Sequence, residues 1–118
     1  MTNKEYIEKN NISFSDAMKM YDNEKYPCIN DWLNQEHFEW MFKQGDVIVY
    51  KESVKSIKDH VYFIVDMDFN YIYVKEVNRN GDIVYWNGNG MSKHNKYKDD
   101  HSIKIIHKQE EDYFKKIA

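Results

Sequence analysis

Val61-Tyr62-Phe63-Ile64-Val65-Asp66-Met67, Asp68-Phe69-Asn70 and Tyr71-Ile72-Tyr73-Val74-Lys75-Glu76-Val77 form the stretch that decides the fold. Two runs rich in β-branched and aromatic residues flank a short polar break, which predicts two antiparallel strands joined by a turn. Asn78-Arg79-Asn80-Gly81-Asp82 follows as a hairpin signal, because Asn and Gly accept positive φ at little cost. It leads into a fourth predicted strand, Ile83-Val84-Tyr85-Trp86. Upstream, Gly45-Asp46 opens the strand Val47–Tyr50, and the Lys-rich stretch from Lys51 to His60 reads as a loop. Downstream, Ser102 to His107 reads as the fifth strand.

Helical signals lie at the two ends. Residues 3–10 offer one or two turns, and a stronger helix starts after Ser13 as N-cap, with Asp16 three residues on. Ile12 and Ala17 stand at the positions of a hydrophobic staple, and Phe14, Ala17, Met18 and Tyr21 follow the rhythm of one buried stripe. Asp22-Asn23 is the expected end, and Pro27 prevents continuation. Trp32 to Phe42 reads as a short helix or an irregular aromatic linker. Glu110 to Ile117 reads as a closing helix with Tyr113, Phe114 and Ile117 on one side. The expected fold is α+β. An N-terminal helix packs on a five-stranded, strongly curved antiparallel sheet or SH3-like barrel, with a short C-terminal helix. Phe42-Lys43-Gln44-Gly45-Asp46-Val47-Ile48 looks like the first strand of such a barrel. Residues 1–118 read as a single domain, with a helical and aromatic segment over 1–42 and a β core over 43–118.

Composition narrows the function classes. The formal charge is −3 with a pI near 5.9, which argues against generic phosphate-backbone binding. The acidity is also far below that of a DNA mimic. Ten Tyr and three Trp bring large surfaces with polar tips, suited to an open sheet or a binding surface. Cys28 stands alone, so no internal disulfide forms and a reducing cytoplasm is expected. No signal-peptide core and no bilayer-length apolar run is present, which points away from a membrane.

Candidate chemistry is sparse. His37, His60, His94, His101 and His107 never fall at zinc-motif spacing, and they read as solvated loop residues with no metal. Cys28 reads as a small buried thiol. Asp66 with Asp68, and Asp99 with Asp100, lie in turns as solvated pairs, so no enzyme and no cofactor are expected. The binding candidates are Trp32, Trp40, Tyr85 and Trp86, with Asn87, Gly88, Gly90, Lys93 and Lys96 in the polar connection from Asn87 to His101. Alternation puts Ile83 and Tyr85 on one face and Val84 and Trp86 on the other, so one large ring faces outward. Backbone amides near Gly88 and Gly90 suit one anion, and the long connection suits a mobile element facing a partner.

Phe14, Ala17, the Glu24-Lys25 pair and Trp32 fall at the spacing of a pattern found in small phage proteins. There it reads Phe-x-x-Ala, six residues, Gly-Lys, a valine, an arginine and a tryptophan. This opening resembles the phage Thoeris anti-defence sponges of the second type, which sequester cyclic nucleotide signals. Glu24, Pro27 and Ile29 stand where that pattern has glycine, valine and arginine. The resemblance implies a small accessory protein of a phage, acting in the bacterial host cytoplasm. The expected function is a non-catalytic inhibitor that occludes a host defence or replication protein, its acidic side chains steering toward a basic partner. A cyclic nucleotide sponge ranks second. Third is an SH3-like nucleic-acid binder using Lys51, Lys55, Lys58, Lys93, Lys96 and Lys98. Self-association into a homo-oligomer is compatible with each.

Overall fold

In the computed structural model, which describes residues 1–53, 60–86, 96–97 and 99–118, the chain divides into two units, Met1–Glu39 and Trp40–Ala118. The first unit holds three short helices, α1 (Asn3–Lys9), α2 (Phe14–Met20) and α3 (Ile29–Leu33). Thr2 starts α1 with a full capping box, its hydroxyl accepting from the Glu5 amide while Glu5 accepts from the Thr2 amide. Ser13 starts α2 as expected, accepting from the Asp16 amide at 3.2 Å. Asn3 then ties α1 to α3. Its buried side-chain amide donates to the Trp32 carbonyl at 2.7 Å, and its oxygen faces His37 Nδ1 at 3.0 Å. His37 stacks on Tyr6 with ring centroids 3.6 Å apart.

The stripe expected on α2 is displaced. Ala17 and Met20 are its buried residues, whereas Phe14 is 79% exposed and Met18 is exposed too. Tyr21 has already left the helix, at φ −61° and ψ 123°, so the helix has two turns and the i+7 contact does not exist. Tyr21 packs its ring against Trp32 at 5.6 Å instead, and its hydroxyl donates to the Tyr26 carbonyl. Cys28, expected to be buried, is exposed at the start of α3.

The second unit is a five-stranded antiparallel sheet. Its strands are β1 (Val47–Tyr50), β2 (Val61–Met67), β3 (Tyr71–Val77), β4 (Ile103–His107) and β5 (Phe114–Lys116). A 3₁₀ helix, Lys108–Tyr113, joins β4 to β5. The spatial order is β4-β3-β2-β1-β5, so the sheet is open, with β4 and β5 at its edges. The α+β class and the bounds of β1, β2 and β3 agree with the sequence reading. Two elements do not.

Ile83–Trp86 is no strand. Ile83 makes a single bridge to Val77, and Val84 N–H donates to the Glu76 carbonyl before the chain departs. Over Tyr71 to Lys75 the place beside β3 is taken by β4, with Lys75 opposite Ile103. One side of a strand holds one partner at a time. The expected C-terminal helix is also replaced. Phe114–Lys116 pairs with β1, placing Phe114 opposite Tyr50, while Tyr113 and Ile117 are exposed.

Pairing sorts the side chains into two faces. One face holds the core: Ile48, Tyr62, Ile64, Ile72, Val74, Ile106 and Phe114, with Phe42 packed against them. Among the described residues no helix is long and apolar enough to cross a membrane.

Candidate functional site

The face opposite the core carries two apolar rows. Val47, Phe63, Lys75 and Ile103 lie side by side across β1, β2, β3 and β4. Val61, Val77 and Ile83 form the second row. Phe63 is 41% exposed and Ile83 40%, while Val47, Val61 and Val77 are half-buried. Strands carrying apolar residues on both faces are ordinarily covered on both. Here Phe63, on the central strand, and Ile83, beyond β3, are accessible, whereas Ile103 and Tyr73 on the same face are buried. Phe63 belongs to this site, and the sequence reading did not single it out.

The residues named from sequence are dispersed. Trp32 is buried in the first unit. Trp40 is half-buried, its indole N–H donating to the Asp68 carbonyl at 3.0 Å. Tyr85 is 70% exposed, and Trp86 is half-buried with Lys104 Nζ 4.7 Å from its ring centre. Asn87, Gly88, Gly90 and Lys93 lie outside the described residues, as do Lys55, Lys58, Lys98, Met91 and His94.

Lys96 and Tyr97 are described, and both engage Asp66. The Lys96 ammonium stands 2.6 Å from Asp66 Oδ2, and the Tyr97 hydroxyl donates to the same oxygen at 2.6 Å. The Tyr97 ring meets Tyr73 edge-on at 5.2 Å, and the Tyr73 hydroxyl donates to Asp68 at 2.8 Å. Asp66 is therefore no solvated turn carboxylate. Lys96 and Tyr97 hold its carboxyl down to about 2, against an ordinary value of 3.8. Burial, reinforced by Asp68, pushes the Tyr73 hydroxyl up.

A depressed carboxyl stabilises the fold above its unfolded value and loses that contribution as pH falls through the folded one. Wild type is expected to exceed Asp66→Asn in stability by about 1 kcal/mol above pH 4, after solvent screening of the partly exposed lysine. The two should converge near pH 2. Urea melts at stepped pH check this, and a gap that persists at pH 2 removes Asp66 ionisation as its cause.

A second polar cluster sits on the core face. Tyr62 on β2 and Glu76 on β3 are paired and fully buried. His60 Nδ1 lies 3.1 Å from Glu76 Oε2. Glu76 Oε1, the Tyr62 hydroxyl and Trp86 Nε1 are buried and complete no hydrogen bond among the described residues. Lys104 Nζ lies 5.6 Å from the Tyr62 ring centre, so it is shared between Tyr62 and Trp86. Burial and the neighbouring Glu76 carboxylate push the Tyr62 hydroxyl up. Sequence reasoning missed this group, although the signal was present. Ile72, Val74 and Glu76 alternate along β3, so Glu76 shares the face of two core residues. No protein family model, no curated protein and no solved structure matches this chain.

Proposed function

We propose that this chain is a non-catalytic binding protein that inhibits a partner protein by covering one of its surfaces. The observation that carries this reading is the accessible Phe63 on the central strand of the sheet's second face, bordered by the half-buried Val47, Val61 and Val77, with Ile83 exposed beyond β3. Apolar patches on a soluble domain mark interaction sites, and aromatic residues near their centres supply most of the binding energy. The proposed context is a phage protein acting on a host defence or replication protein, which rests on the opening motif around Phe14, Ala17 and Trp32.

The sponge reading has less support. Trp32 is interior, and Lys104 lies over the Trp86 ring. The SH3-like nucleic-acid reading rests on the Phe42–Ile48 phrase alone, the sheet itself being open.

The test expresses wild type and Phe63→Glu in a host whose defence systems restrict a panel of phages. Wild type is expected to restore plaque formation by at least one phage, and the folded variant to lose that effect together with a stoichiometric host complex. Restoration by both proteins moves the site off this face. A rise in melting temperature with cyclic dinucleotides, and no protein complex, replaces the inhibitor reading with the sponge.

A further inference from the structure

We infer that the partner received by this face is a protein surface whose apolar anchor is flanked by carboxylates. The inference rests on the binding reading above and adds the chemistry of the occupant. Across the strand positions of this face the charged residues are Asp66, Lys75 and Lys115, with His107 at the end of β4. Asp66 is engaged by Lys96 and Tyr97. Lys75 lies directly opposite Phe63, and Lys115 directly opposite Val49. Neither lysine makes an ion pair among the described residues. Asp100, whose carboxylate is bound by the Ser102 hydroxyl and amide, also feels Lys75.

Among the described residues, this face of an acidic chain thus sets Lys75 and Lys115 beside its apolar residues. This reverses the steering expected from the net charge of −3, which pointed to a basic partner. Whatever covers Phe63 also covers the side chain beside it, because directly paired residues on a sheet stand about 5 Å apart. A basic partner would bury like charges together. A neutral one would strip water from Lys75 without replacing it. A carboxylate flanking an apolar anchor meets both requirements. Nucleic acid would meet the lysines, but Val47, Val61, Phe63, Val77 and Ile83 offer its phosphates no donors. That contrast decides for protein.

The experiment uses the whole chain and two synthetic helices of about 18 residues, about five turns each. Both carry the same leucine stripe, flanked in one by glutamate and in the other by lysine. Amide and methyl shifts are followed by NMR at low salt. The glutamate helix is expected to bind about tenfold tighter, shifting Val47, Phe63 and Val77. Phe63→Glu should abolish binding, and Lys75→Glu with Lys115→Glu should transfer the preference to the lysine helix. The double-lysine variant leaves every apolar residue of the face in place, so it reports even if Phe63→Glu fails to fold. Equal or tighter binding of the lysine helix, still lost in Phe63→Glu, overturns the charge inference and leaves the binding face standing. If neither helix shifts these residues at about millimolar concentration, both readings fall. Shifts at the same residues with a DNA duplex, and none with the glutamate helix, overturn the inference in favour of nucleic acid.

Discussion

Phe114→Ala is expected to destabilise the second unit by about 3–5 kcal/mol, a large share of a total stability of about 5–15 kcal/mol. Phe114 is buried, stacked at a tilt 4.3 Å from Tyr50 and edge-on 5.6 Å from Tyr62. It also stands opposite Tyr50 in the β1–β5 pairing, so its side chain closes the core at the sheet's edge. Truncation removes the aromatic area and leaves a cavity between two rings fixed by their own strands. The neighbouring Tyr113→Ala provides the contrast, because Tyr113 is exposed and its loss should cost under about 0.5 kcal/mol. Urea melts followed by tryptophan fluorescence check the pair. Equal losses at both positions would restore the helical arrangement of this segment, in which Tyr113 and Phe114 share one side.

The second large effect is an asymmetry at the buried carboxylate. His60→Ala is expected to cost about 3 kcal/mol, because it removes the imidazole facing Glu76 Oε2 and leaves a buried charge without its partner. Glu76→Met, similar in volume and without charge, is expected to be neutral or stabilising. It relieves the unsatisfied Oε1 and removes the charge beside the Tyr62 hydroxyl. The double variant should stand close to Glu76→Met alone, since the carboxylate that His60 faces is already gone. Equilibrium melts of the four proteins form a double-mutant cycle. A Glu76→Met loss as large as that of His60→Ala would show that the carboxylate makes a net favourable contribution and that the asymmetry is wrong.

The candidate site was only partly legible. One of Tyr85 and Trp86 was expected outward without a choice between them, and Tyr85 is the exposed ring. Lys96 was placed in an anion site of the polar connection, yet it engages Asp66 across 30 residues of chain (96 − 66), a pairing that no local pattern announces. Phe63 escaped notice because β2 carries apolar residues at nearly every position, so alternation named two faces without saying which was the core. Glu76 was readable from the alternation of β3, provided that Ile72 and Val74 were taken as the inner residues.

The sequence by itself determined β1, β2 and β3, the Ser13 cap and the turn at Gly81, whose φ is +85°. Each depends on residue conformation, side-chain period or a hydrogen bond spanning a few positions, and these act within the segment that encodes them. Only tertiary structure decided that Ile103–His107 takes the place beside β3 that Ile83–Trp86 was expected to fill. It also made Phe114–Lys116 an edge strand in place of a helix. Both outcomes turn on competition for the unpaired backbone and apolar edge of a distant strand. A short segment of mixed propensity carries too little intrinsic preference to resist it. The accessible face around Phe63 has the same origin, because exposure depends on which other parts of the chain cover a strand and not on the strand's own residues.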